Sequence, residues 1–321
     1  MPPARALLAG LALLLLLLLR ARRRRTWRPR ACPVDLRGKT ALITGANSGI
    51  GKCVALDLAR RNARTILACR DQAKGQAALD EIRRAAGNPN VDLRLLDVSS
   101  VASVREFARR FLQEERRLDI LVNNAGITGL PVTPTAEGLE LMFATNVLGP
   151  FLLTNLLLGI LKASAPARIV NVSSFVHHKG TVNVKFLTGE EWPKSFSQAY
   201  NSSKLMNVVF TIELARRLQG TGVTVNSLNP GVVKTGIMRH FHWAIRLLYN
   251  ICGIFMQSAE EGAVSTLYCA VSREVEGITG RYFDSDCSLA LPSDRAQDPG
   301  VSRKLWDAME QLTGLGNGET K

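Results

Sequence analysis

Histidine is scarce in this 321-residue chain, with four residues, and its six cysteines form no Cys-x-x-Cys pair and no zinc spacing. No metal site is therefore expected. Cys53 and Cys69 fall in apolar helix and strand contexts and read as small buried hydrophobes, which suits a reducing compartment. Acidic residues are missing from positions 1–30, which hold eight arginines: Arg5, Arg20, Arg22, Arg23, Arg24, Arg25, Arg28 and Arg30. Beyond them 33 basic side chains face 27 acidic ones, so the net charge of +14 is mostly local to that segment. The remainder is only mildly basic, and it lacks a basic-aromatic platform of the kind that stacks bases, so no nucleic-acid partner is expected. Internal repeats are absent as well. Asn171-Val172-Ser173 and Asn201-Ser202-Ser203 match glycosylation acceptors, but both fall in predicted core elements and read as chance matches.

What is present begins with an unbroken apolar run of 13 residues, Leu7 to Leu19, followed at once by the arginine block. A helix of that length rises about 20 Å, short of the ~30 Å hydrocarbon core, but Arg5 and Arg20 can snorkel and extend it. A cleaved signal peptide would carry its charge before the apolar run, and a mitochondrial presequence would be amphipathic. An uncleaved anchor satisfies both features, and the positive-inside rule then leaves the following domain in the cytosol. The expectation is an endoplasmic reticulum membrane location, with a mitochondrial membrane as the alternative. Residues 1–20 are read as the anchor, 21–35 as a basic juxtamembrane linker, 36–315 as a catalytic domain and 316–321 as a flexible tail.

From Leu36 onward, apolar β-type runs alternate with helical patterns. Strands are predicted at Thr40–Thr44, Thr65–Ala68, Val91–Leu96, Ile120–Asn123, Arg168–Ser173 and Thr224–Asn229, with a shorter one at Arg281–Phe283. Helices are predicted at 52–61, 73–86, 101–114, 137–161, 198–218, 259–270 and 303–312. Near-continuous apolar strands separated by helices imply a parallel sheet covered on both faces. The fold expected is α/β, a doubly wound Rossmann-type arrangement with a central parallel sheet of about seven strands.

Thr44-Gly45-Ala46-Asn47-Ser48-Gly49-Ile50-Gly51 follows a predicted strand and opens a helix, the context of a dinucleotide phosphate loop. Gly45 allows a sharp turn, and Gly49 and Gly51 let the backbone approach a pyrophosphate at the helix N-terminus. Nineteen positions past Gly51, Cys69-Arg70-Asp71 ends the second strand. Arg70 there suits the 2′-phosphate of NADP(H), with Lys52 close by, whereas Asp71 would suit the ribose of NAD. Downstream, Tyr200 and Lys204 stand four residues apart and share one helix face. A free phenol has a pKa near ~10, and a neighbouring ammonium favours its ionised form, which suits proton exchange with an alcohol or carbonyl.

With these parts in place, the chain resembles the short-chain dehydrogenase/reductase family over residues 36–315. The resemblance also covers Asn123-Asn124-Ala125-Gly126 at the fourth strand's end, Asp97 at the third, and Asn229-Pro230-Gly231 at the sixth. It implies Tyr200 as acid/base, Lys204 as its partner and a ribose ligand, Ser174 orienting the substrate oxygen, and Asn146 anchoring a proton-relay water. It further implies cofactor contacts from Gly45, Asn47, Ser48, Gly49, Ile50, Gly51, Asp97 (adenine), Asn124 and Thr235 (carboxamide). Alternation sends the Ser173 and Ser174 hydroxyls to opposite faces, and the resemblance implies Ser174, the second serine of the pair, as the catalytic one. Within the family the chain is similar to the microsomal NADP-dependent retinol dehydrogenases, on Thr44–Lys52, Ala68–Asp71, Ser164–Pro166, Arg168–Ser174 with His177-His178, and Glu213–Leu218. It departs from them at Asn201-Ser202, Val147, Pro150 and Asn229, all near the pocket. Residues 237–256 are rich in apolar and aromatic groups and read either as a substrate lid or as a core-packing helix. A lipophilic small-molecule substrate is expected, with a hydroxysteroid or other lipid carbonyl compound as the alternative and a cofactor-binding membrane protein of vestigial activity as a third reading, and a homo-oligomer is possible. His177, His178, His240 and His242 read as surface or pocket-edge residues.

Overall fold

The computed structural model describes residues 27–237 and 256–315. The anchor, the tail and all but the ends of the predicted lid lie outside the described residues. Among those described, no helix is long and apolar enough to cross a membrane.

Among the described residues eight strands form one sheet: β1 Thr40–Thr44, β2 Arg64–Cys69, β3 Val91–Leu95, β4 Ile120–Asn123, β5 Ala167–Val172, β6 Val223–Leu228, β7 Tyr282–Phe283 and β8 Leu289–Ala290. Their order is β3-β2-β1-β4-β5-β6-β7-β8, parallel throughout except for the last pair. The expectation of about seven parallel strands is thus corrected by one antiparallel edge strand. Its two residues are too few to show alternation, and Leu289 is exposed.

Period-two alternation divides the core. Ala41 and Ile43 of β1 face one cluster and Leu42 faces the other; Leu67 and Cys69 of β2 oppose Ile66 and Ala68 in the same way. On the first face lie α1 (Gly49–Arg60), α2 (Gln72–Ala86) and α7 (Ala259–Val271). On the second lie α3 (Val101–Glu114), α4 (Gly149–Leu156), α5 (Leu158–Ala163), α6 (Phe196–Arg217) and α8 (Pro299–Thr313). Both faces are covered, so β1 is buried at all five positions.

The helix expected over 137–161 is broken. Leu141–Phe143 forms one turn, Ala144–Leu148 widens to a π-helix, and α4 and α5 follow with an interruption at Leu157. Gly138 sits at φ +79°, outside helical space. Pro150 has no N–H to give to Asn146 four residues earlier or to Thr145 five earlier, and the ladder loosens at this point.

Residues 27–35, the described part of the predicted linker, lie against the domain. Trp27 is buried and meets Tyr268 edge-on with ring centroids 5.5 Å apart. The Arg61 guanidinium donates to the carbonyls of Pro29 at 2.7 Å, Cys32 at 2.8 Å and Val34 at 3.3 Å.

Candidate active site

The crevice lies where the strand order reverses, outside the carboxyl ends of β1 and β4, as open α/β sheets place it. The glycine loop leaves β1 with Gly45 at φ +67° and enters α1 with Gly49 at φ +54°. A Cβ on Gly51 would meet the Asn124 amide and stand 2.6 Å from the Gly45 carbonyl, so only hydrogen fits. Asn124 clamps this loop: its Nδ2 donates to the Thr44 carbonyl at 2.9 Å, and its backbone N–H donates to Thr44 Oγ1 at 3.0 Å. The Asn124 side chain is therefore spent on shaping the loop. Ser48 is the N-cap of α1 but makes no side-chain cap bond, which leaves the first-turn N–H groups facing the crevice. Asn47 and Ile50 flank it, half-buried. Thr235 arrives from the loop after β6, with its Cγ2 3.2 Å from where a Gly49 Cβ would sit.

At the end of β2 the two rival side chains are sorted by geometry. Asp71 is the N-cap of α2, accepting from the Lys74 N–H at 3.0 Å and pairing with the Lys74 ammonium at 3.0 Å. Arg70 projects with its side chain 63% exposed and meets Asp97 Oδ2 only at 3.8 Å. The other Asp97 oxygen holds Ser99, accepting from its Oγ at 2.6 Å and its N–H at 3.0 Å. Lys52, expected near the phosphate, instead pairs with Glu81 at 2.6 Å.

The second half of the site sits on β5, α6 and the π turn. Ser195 caps α6, accepting from the Gln198 N–H at 3.2 Å, so the helix starts one turn before Tyr200. Lys204 is buried, and its Nζ donates to the Val172 carbonyl at 3.0 Å and stands 5.7 Å from the Tyr200 ring centroid. Burial pushes its ammonium down to about 8. Ser173 and Ser174 point apart as alternation requires. Ser173 Oγ donates to the Lys204 carbonyl at 2.7 Å, whereas Ser174 Oγ accepts from the Val176 N–H at 3.4 Å, leaving its own O–H to donate. Asn146 is buried and braces the two sides: Oδ1 accepts from the Ile127 N–H at 2.9 Å, and Nδ2 donates to the Ile127 carbonyl at 3.1 Å and to Ser203 Oγ at 3.0 Å. Gly126 lines the floor, where a Cβ would come 3.5 Å from Lys204 Nζ.

The structure thus links Asn146 through Ser203 to the helix that carries Tyr200 and Lys204, and holds Lys204 on the Val172 carbonyl, two residues before Ser174; the loop residues with Arg70, Asp97 and Thr235 lie along the neighbouring crevice. At one residue the structure differs from the expectation. His177 is completely buried, not at a surface or pocket edge, and hydrogen bonds through both ring nitrogens. Its partner Ser293 lies far downstream, so no local pattern marks it. His178 is exposed.

Residues 39–243 match the family model described as short chain dehydrogenase. The chain belongs to the short-chain dehydrogenase family of oxidoreductases, which bind a nicotinamide cofactor. Retinol dehydrogenase 14 of Mus musculus is 47% identical over 294 residues, covering 87% of each chain. Among solved structures, an uncharacterized protein from Mycobacterium Paratuberculosis superposes with a TM-score of 0.72 at 34% identity, covering 90% of this chain and 97% of its own. A short chain dehydrogenase from Shigella flexneri, complexed with NADP, gives a TM-score of 0.62 at 25% identity over 78% of this chain and 98% of that one.

Proposed function

We propose that this protein is an NADP(H)-dependent oxidoreductase that interconverts retinol and retinal, or a similar lipophilic alcohol and aldehyde. The observation that carries the cofactor choice is at the end of β2: Asp71 is committed to capping α2, while Arg70 is exposed toward the crevice. A guanidinium in that place suits a 2′-phosphate, and the donor set fits the group: uncapped N–H groups at α1, the side-chain-free wall at Gly126, and Lys204 beneath it. When bound there, the dinucleotide supplies or accepts the hydride.

The chain's own residues handle position and proton. Tyr200 exchanges a proton with the substrate oxygen, and the Lys204 ammonium favours its ionised form. Ser174 donates a hydrogen bond to the same oxygen. The Asn146 carbonyl, deprived of an α-helical partner by Pro150, anchors a relay water that returns the proton to Lys204. The mouse relative's name and its 47% identity support the retinoid assignment. Pocket departures at Asn201-Ser202, Val147, Pro150 and Asn229 favour a second reading, a hydroxysteroid or other lipid carbonyl reductase. The Leu7–Leu19 run anchors the domain to the endoplasmic reticulum membrane with the catalytic end in the cytosol, where a reduced NADP pool drives reduction.

The test is turnover of retinal, a steroid ketone and a medium-chain aldehyde by purified protein with NADPH, alongside Tyr200→Phe. Retinal is expected to be reduced fastest, and Tyr200→Phe to bind NADPH without turnover. Preference for the steroid ketone selects the second reading, and an active Tyr200→Phe refutes the assigned acid/base.

A further inference from the structure

His177 has no place in the proton path above, yet it is wholly buried and touches Ser174 directly. Its Nδ1 lies 2.8 Å from the Ser174 carbonyl oxygen, and its Nε2 lies 3.2 Å from the backbone nitrogen of Ser293. A carbonyl can only accept and an amide N–H can only donate. The ring is therefore neutral and carries its proton on Nδ1. The backbone N–H of His177 also donates to the Ser174 carbonyl, at 3.1 Å, so one residue holds that peptide by two bonds. The ring packs 4.6 Å from Tyr282 of β7, and Arg295 ties the same two segments again through the Gly180 carbonyl at 2.6 Å.

We infer that His177 is a positioning residue for the reaction, fixing the peptide of Ser174 from the C-terminal turn at Ser293. The inference rests on the role proposed for Ser174 above. A rigid ring with a donor at one end and an acceptor at the other is what the two backbone groups require. Asparagine can reproduce only the bond to Ser174, and glutamine only the one to Ser293.

Ser293 has φ −53° and ψ 140°, angles that proline adopts, so the backbone accepts Ser293→Pro; the ring then replaces the N–H with a Cδ aimed at His177 Nε2, which breaks this link and displaces the imidazole. Wild type, His177→Asn, His177→Gln and Ser293→Pro are compared by kcat, KM and NADPH fluorescence titration. Loss of one neutral hydrogen bond predicts kcat about tenfold lower in His177→Gln, and the displaced ring in Ser293→Pro predicts a fall at least as large, with NADPH affinity unchanged. His177→Asn is expected to recover most of the activity that glutamine loses. Wild-type kcat in His177→Gln, or an asparagine variant no better than glutamine, overturns the inference. Should the histidine variants fail to fold, an unchanged kcat in Ser293→Pro overturns it. Ring ¹⁵N shifts of His177 in the wild type give a readout independent of substrate, and an Nε2-protonated ring also overturns it. An active Tyr200→Phe sinks the proposed reaction instead, so the two failures are distinguishable.

Discussion

Asn146 Nδ2 donates to Ser203 Oγ at 3.0 Å, and that hydroxyl in turn donates to the Tyr200 carbonyl at 2.8 Å. The π turn and the catalytic helix are thereby joined at Ser203, the residue just before Lys204. The same asparagine satisfies both backbone groups of Ile127, so its side chain is structural on one side and aligning on the other. Asn146→Leu leaves buried polar partners without bonds and should cost about 1–3 kcal/mol in urea denaturation for each one left unsatisfied. Turnover should fall at least tenfold in protein that remains folded. A variant of wild-type stability would refute the brace.

Gly51→Ala tests the loop. Its Cβ would press on the Asn124 amide and the Gly45 carbonyl, neither of which is a flexible chain end. NADPH affinity by fluorescence titration should weaken by tenfold or more, and unchanged affinity would mean that the loop relaxes freely.

Arg70 sets cofactor choice if its guanidinium meets a 2′-phosphate. Charge-assisted hydrogen bonds contribute about 1.5–3 kcal/mol, so Arg70→Asp should raise the KM for NADPH roughly tenfold to a hundredfold. The KM for NADH should hold or fall. Equal losses with both cofactors would show that Arg70 serves folding instead.

Lys204 predicts the alkaline limb of activity. Burial lowers its ammonium from an ordinary value of 10.5 to about 8, so the charge beside Tyr200 is present below that pH and lost above it. Turnover should decline as pH rises through about 8. The unfolded chain holds the extra proton between 8 and 10.5, so Lys204 itself makes the fold relatively more stable over that window. Activity and this contribution to stability move in opposite directions, which separates lost catalysis from lost structure. A pH–rate profile flat to pH 10 would contradict the assignment.

His177 predicts an acid limb of stability. Burial lowers it to about 4, with His178 adding to the fall and the Ser174 carbonyl opposing it. Between pH 6.5 and 4 the unfolded histidine binds a proton that the folded one refuses, so its contribution is full above 6.5 and is lost as pH falls to 4. The fall in urea midpoint from pH 7 to 4.5 should shrink in His177→Gln.

Much of the architecture was legible because its signals are local. The apolar strands matched within a residue or two at each end, and Arg70 and Asp71 could be named as rivals from position alone. Choosing between them needed the Lys74 N–H, a contact made only once α2 forms. Pro150 was visible inside the predicted long helix, but the π turn that absorbs it depends on packing against the loop at Val98, where Gly149 admits no side chain. Strand β8 is a two-residue return of a local hairpin, Phe283 against Leu289, too short to show a period, whereas the burial of His177 depends on Ser293, far along the chain.

The clamp of Arg61 on residues 29–34 has a mechanical consequence. Arg61 follows the C-terminus of α1, at the end of the sheet opposite the crevice. Only residues 20–26 separate the apolar run from buried Trp27, a leash of at most about 25 Å when fully extended. With the apolar run in a bilayer, as proposed above, a domain held so closely by its foot would not roam or tumble over the membrane. The height and facing of its mouth above the lipid would then be set by seven residues, and inserting or deleting residues there would change substrate access while leaving the catalytic groups untouched.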